Sequence, residues 1–297
     1  MGRWEGILFL IPNKKNEIMR QLNPEFMEAL GNGHLKELIN LVRTDDSLDF
    51  QIREGYLNIY FKGNNILKLH SNYKITIDKN LTKGINVEVY LKNPDAVTGF
   101  IQNLPYIKHQ ITLHSSRAIE REYEQMFIRS NNCDLNESEY FILDRQYTRP
   151  NETNSQLDMV GLHWARNGRR NKDVPLSIFE IKYALNNDIS TIHDQLCRYH
   201  ELVENNFNDL VIEMNSLIQQ KTSLKVLSKK SDIDNNLSKL RIVNDPSSVH
   251  YVIVLVDYNP NSSLLNLVNL NRLLFCKQVK IFHCGLGLWS QFFGRIC

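Results

Sequence analysis

The sequence predicts an α/β (α+β) protein, with a mixed sheet flanked by helices and preceded by a small α+β unit built on an antiparallel meander. Three observations carry this. Within the first hundred residues the hydrophobic period switches from helical spacing to strict alternation. Val249 to Val256 is an unbroken apolar, β-branched run, the pattern of a strand buried on both faces. From Ser115 onward the predicted order is helix, three strands, helices, strand, helix, strand, which suits a layered mixed sheet.

In chain order, apolar residues fall at helical spacing over Asn16 to Leu30 and Leu35 to Val42, with Gly31 and Gly33 as breaks. Leu57, Ile59 and Phe61 then alternate with Asn58, Tyr60 and Lys62, and Gly63-Asn64-Asn65 is a turn. Residues 66–69 and 73–77 continue the meander, with a further short strand at Val87 to Leu91. Asn93-Pro94 opens a short helix to Leu104. This first unit, residues 1–110, has no Gly-rich phosphate loop and no clustered metal ligands. The second unit, residues 111–297, starts with a helix from Ser116 to Ser130. Strands follow at Tyr140 to Tyr147, Leu157 to Trp164 and Leu176 to Ala184. Helices over Asp188 to Asn205 and Leu210 to Lys221 come next, then a polar loop from Lys229 to Pro246. After the strand at Val249, a helix over Ser262 to Phe275 and a strand over Gln278 to His283 complete the unit.

The bulk numbers restrict the function classes. A formal net charge of +2 excludes a histone-like mode of binding and leaves room for a local basic patch. Cys133, Cys197, Cys276, Cys284 and Cys297 are odd in number and never form C-x-x-C, which fits a reducing, cytoplasmic setting. No apolar stretch reaches the ~20 residues needed to span a bilayer, so no membrane partner is expected.

The chemistry centres on two neighbouring strands. One reads Gln156-Leu157-Asp158-Met159-Val160, the other Ser177-Ile178-Phe179-Glu180-Ile181-Lys182-Tyr183. Strand alternation sends Glu180 and Lys182 to one face and Phe179, Ile181 and Tyr183 to the other. Charged groups among apolar neighbours are rarely buried unless they are paired or bind a metal. Two carboxylates hold Mg²⁺ while leaving positions for water and phosphate oxygens. A lysine on the same face orients or deprotonates water, or stabilises charge in the transition state. The residue types therefore suit phosphodiester hydrolysis.

Downstream, Gln195-Leu196-Cys197-Arg198-Tyr199 forms a Q-x-x-x-Y pattern on a predicted helix, and Arg145-Gln146-Tyr147 precedes the aspartate as R-x-Y. On these motifs residues 115–283 resemble the PD-(D/E)XK nuclease superfamily, of restriction-endonuclease-like fold, and in particular its RecB-like branch. Leu157 stands where the motif's proline would be. The resemblance implies that Asp158, Glu180 and the Ile181 carbonyl bind the metal and that Lys182 is catalytic. Gln195 and Tyr199 would line the site or hold phosphate. It also implies an acid from the first helix. Of Glu120, Glu122 and Glu124, the first two flank the apolar face, read as Ile119, Tyr123, Met126 and Phe127, with Glu124 further out; Glu120 is preferred because Glu120-Arg121-Glu122-Tyr123 resembles the E-R-x-Y start of some relatives. Arg166, Arg169, Arg170 and Lys172, on the hairpin between the acid strands, are candidates for the nucleic-acid backbone.

The expected function is a Mg²⁺-dependent nuclease, Mn²⁺ substituting, acting on DNA rather than RNA. The alternative is a catalytically inactive nuclease-fold protein that binds nucleic acid or serves assembly. Further expected partners are a second copy or a separate motor chain, since the sequence has no ATPase motif. A zinc reading of His193, Cys197 and His200 lacks a fourth ligand, and the cysteine spacing is too loose for the iron-sulfur cluster of some relatives.

Overall fold

A computed structural model describes residues 20–114, 119–133, 138–149, 156–165, 171–184, 187–228, 231–267, 270 and 272–287. Two sheets organise the chain, one four-stranded and antiparallel, the other five-stranded and mixed.

The first sheet and its helices occupy residues up to 114. Helix α1 (Pro24–Gly31) begins later than the periodicity suggests, because Asn23 caps Phe26 N–H and Pro24 fixes the first turn. Residues 16–19 of the expected helix lie outside the described residues. Helix α2 (Lys36–Thr44) follows. Strand β1 (Leu48–Ile52), unexpected from the sequence reading, pairs with β2 (Tyr56–Phe61), and β2 with β3 (Asn64–His70) and then β4 (Ile75–Thr76). The strand expected at Val87 to Leu91 is reduced to one bridge, Lys74 to Tyr90. Helix α3 (Pro94–His114) runs ten residues past its expected end at Leu104, straight through Pro105. Its buried stripe explains this: Phe100, Leu104, Ile107 and Ile111 keep helical spacing across the proline. Burial of that face outweighs a local cost of about 3 kcal/mol. The expected unit boundary near residue 110 falls within the last turn of α3.

The second sheet has the order β5 (Tyr140–Tyr147), β6 (Leu157–His163), β7 (Leu176–Tyr183), β8 (His250–Val256), β9 (Val279–Cys284). The first three strands are antiparallel neighbours; β7, β8 and β9 are parallel. Helix α4 (Ile119–Asn131) covers one face through Tyr123, Phe127 and Ile128, packed on Phe179, Ile181, Val252 and Val254. Helix α5 (Ile192–Ser223) covers the other and makes the crossover from β7 to β8. The two helices expected here are one run bent at Asn206. The expected polar loop contains α6 (Ser231–Ser238), whose Ile233 and Leu237 bury one helical turn apart. The helix expected over Ser262 to Phe275 is a 3-10 turn at Ser263–Leu267, with residues 268, 269 and 271 outside the described set. Asn261, Asn266, Asn269 and Asn271 favour turns over helix interior there.

The two sheets share one hydrophobic core, and they also meet through charge at the edge strand β5. The fully buried Asp144 carboxylate accepts from Arg20 at 2.6 Å and Arg53 at 2.7 Å. Arg53 also donates to the Arg145 carbonyl at 2.7 Å. Glu213 of α5 accepts from the Arg20 backbone N–H and the Tyr147 hydroxyl. Lys221, buried, donates to Gln51 Oε1 at 2.7 Å and to the Leu143 carbonyl at 2.6 Å.

Asp144→Asn leaves two buried guanidiniums short of a counter-charge, and is expected to cost about 3–5 kcal/mol in urea unfolding; a change below 1 kcal/mol would contradict the linkage. A second expectation concerns pH. Burial brings Lys221 from 10.5 down to about 8, against the pull of Asp144 and Asp49. Because the folded-state value lies below the unfolded one, the penalty is complete below about 8 and is relieved as pH rises toward 10.5. Relative to Lys221→Met, the native chain should therefore gain stability across that window, on the order of 3 kcal/mol. Parallel pH profiles for the two chains would refute this.

Candidate active site

Strands β6 and β7 pair as far as Met159 opposite Phe179 and then separate. Asp158 and Glu180 come next in that register, so both side chains lie on the face covered by α5. Phe179 and Ile181 take the α4 face, as the alternation predicts. In the fork left by the separating strands, Asp158 Oδ2 accepts the Ile181 N–H at 2.9 Å. A strand residue sends its N–H and C=O to the same edge. The Ile181 carbonyl therefore faces that fork as well.

Glu180 is 2 % exposed, and both of its oxygens are engaged. Lys182 Nζ lies 2.5 Å from Oε1, and the Tyr199 hydroxyl of α5 donates to Oε2. Burial, then Glu180 and then Glu124, push Asp158 well above the usual carboxylate range, opposed by the Ile181 N–H and Lys182. Burial pulls Lys182 down, yet Glu180, Asp158 and Glu120 outweigh it and its pKa ends raised. Tyr199 is raised by burial and by the two acids, so it stays a donor.

The structure brings Asp158, Glu180, Ile181, Lys182 and Tyr199 together. Gln195 is half-buried one turn earlier on α5, with Thr191 as its hydrogen-bond neighbour. Lys172 is exposed; Arg166, Arg169 and Arg170 lie outside the described residues. His200 turns away from His193 and Cys197, stacking on Phe275 and sharing a hydrogen bond with Tyr251.

The faces of α4 differ from the expected ones. Ile119 and Met126, assigned to the apolar face of α4, are 43 % and 38 % exposed, whereas Glu124 and Gln125 are buried. Glu120 is exposed, and its charge helps to raise Lys182. Glu124 is the helix acid that raises Asp158. The physical reason is Arg145. This fully buried guanidinium stands 3.4 Å from Glu124 and 3.7 Å from Asp49, and lies 4.6 Å over the Tyr60 ring. Gln146 donates to the other Glu124 oxygen at 2.6 Å. The tip of the β2–β3 hairpin completes the fit. Gly63 N–H donates to Gln125 at 2.8 Å, and a Cβ on Gly63 would meet the Arg121 backbone at 2.5 Å. The polar face of α4 is therefore drawn inward by a charge on β5 and by the first sheet.

Among the described residues no three His, Cys, Asp or Glu side chains form a closed metal cage. The donor set at the fork is of another kind: two carboxylates and one backbone carbonyl, all hard oxygens. Such a set suits Mg²⁺ or Mn²⁺, which keep several positions for water. The raising of Asp158 by burial and by Glu180 fits a site that gains from a divalent cation. A cavity of about 540 Å³ elsewhere, bordered by Leu48, Phe50, Ile128 and Val226, includes none of these residues.

Asp158→Asn removes one of the crowded charges and keeps an oxygen for the Ile181 N–H. It is expected to raise the melting temperature in metal-free buffer by a few degrees; a lower melting temperature would contradict the electrostatic reading. Comparison with protein-family models, with curated proteins and with solved structures returned no match for this chain.

Proposed function

We propose that this chain is a divalent-metal-dependent nuclease of PD-(D/E)XK type, with a restriction-endonuclease-like fold, hydrolysing phosphodiester bonds in DNA. The observation that carries the reading is the fork itself. Asp158 and Glu180 stand opposite each other on separating strands, with Lys182 on the same face and Tyr199 reaching in from the crossover helix. The order α4, β5–β6–β7, α5, β8 supports the same reading, because it matches the helix and strand sequence on which the motifs D, E-x-K and Q-x-x-x-Y sit.

Asp158, Glu180 and the Ile181 carbonyl would hold the cation. When bound, it lowers the pKa of water and neutralises charge developing on phosphate. Lys182 presents an ammonium beside Glu180, where it orients the attacking water or stabilises a phosphate oxygen. Tyr199 is a positioning residue that fixes the Glu180 carboxylate. Glu124, held by Arg145 and Gln146, adds negative charge at the rim of the fork.

DNA incubated with Mg²⁺ or Mn²⁺ should be cut, and EDTA should stop the reaction. Lys182→Ala and Asp158→Ala should each lower the rate by about 10²–10⁴. Tyr199→Phe should weaken metal affinity about tenfold, with cleavage partly restored at higher metal. No cleavage of DNA or RNA with either metal, or a Lys182→Ala chain as fast as the native one, would overturn the assignment.

A further inference from the structure

We propose that the solvent-facing end of one face of the first sheet, formed by Tyr56, Lys68, His70 and Lys74, is a contact surface for a single strand of nucleic acid. The nuclease reading supplies the substrate class; the surface is argued from its own geometry.

The register of β2, β3 and β4 places Tyr56 opposite His70 and Asn58 opposite Lys68, with Lys68 opposite Thr76. One step further, His70 N–H donates to the Lys74 carbonyl at 2.9 Å. Alternation puts all these side chains on the face turned away from buried Leu57, Ile59, Leu67 and Leu69. Lys68 Nζ lies 4.0 Å from the Tyr56 ring centre, and the Tyr56 and His70 rings lie 5.5 Å apart at 36°. Lys74 and Thr76 are exposed, and Tyr56, Lys68 and His70 are half-buried. Among the described residues, the outward positions of β2, β3 and β4 carry no carboxylate; Glu54 lies in the preceding turn. Burial, Lys68 and Lys74 hold His70 below its ordinary value, so near neutral pH its ring is a stacking surface rather than a charge.

This is an aromatic pair bordered by two cations, the combination that binds a single strand by base stacking and phosphate contact. Further along β2 the same face closes over: Asn58 is buried and donates to the Tyr60 hydroxyl, and Tyr60 lies beneath the fully buried Arg145, the partner of Glu124. A polyanion is the occupant whose charge complements the two lysines.

The test measures binding of a fluorescein-labelled oligothymidylate to the full chain carrying Lys182→Ala, without divalent metal, across a salt series. Adding Lys68→Glu and Lys74→Glu should weaken binding at least tenfold and flatten the slope of log affinity against log salt by about 0.7 per lysine. Tyr56→Ala should weaken it about tenfold with the slope unchanged. Exposed Lys36 and Lys83, changed together to Glu, make the same charge alteration elsewhere. Equal weakening by that control pair would reduce the effect to bulk charge and overturn the proposal. So would unchanged affinity in the Lys68 and Lys74 variant, or a loss of self-association in place of DNA binding, which would assign the face to a second copy. Cleavage separates the two readings. A native chain that cuts DNA while binding ignores this face sinks only the surface. A chain that binds through it and never cuts sinks only the nuclease reading.

Discussion

Two adjacent charges on one edge strand constrain the rest of the molecule. Asp144 and Arg145 follow each other on β5, so strand alternation drives them to opposite faces of the mixed sheet, and both are fully buried there. Neither is tolerable alone in that setting. Asp144 is matched by Arg20 and Arg53 on the α5 side, and Arg145 by Asp49 and Glu124 on the α4 side. Three of these partners flank or belong to the first sheet's edge and α4. The first sheet therefore straddles β5, closing an edge that would otherwise offer open backbone groups. What looks in sequence like a separate small unit is a wall of the larger one.

That arrangement has a consequence at the fork between β6 and β7. Arg145 draws Glu124 inward and so rotates α4, and Gly63 lets the β2–β3 hairpin press directly on the helix. The helix in turn sets the charge environment of Asp158. Three acids and a lysine gathered in a largely apolar setting form a locally unfavourable arrangement, and they persist because Tyr199, Gln146 and the Ile181 N–H fix them. Unfavourable charge held by surrounding structure is characteristic of sites that act on a ligand.

The strands and the acid fork were legible in the sequence because both follow from local periodicity. Glu180 and Lys182 lie two apart, and the run at Val249 to Val256 needs no partner to be read as buried. The strand Leu48–Ile52 shows the same alternation, with Asp49 and Gln51 inward toward β5, but polar residues at those positions give no hydrophobic signal of burial. Glu124 was illegible for a related reason. Helical periodicity assigns the core face by hydrophobicity, and here the buried partner of the helix is a guanidinium distant in sequence. Tertiary charge also explains the long α3, whose apolar stripe overrides Pro105, only in part: Lys108 on that helix pairs with Asp45 at the start of the first sheet.

In the proposed site Asp158 and Glu180 share one hard cation where β7 parts from β6. The decisive measurement is anomalous scattering from a crystal soaked in Mn²⁺. A single peak is expected between the two carboxylates and beside the Ile181 carbonyl, lost in Asp158→Asn. Ordered crystals with no peak at the fork, or with the ion bound at other side chains while Glu180 keeps Lys182 and Tyr199, would contradict it.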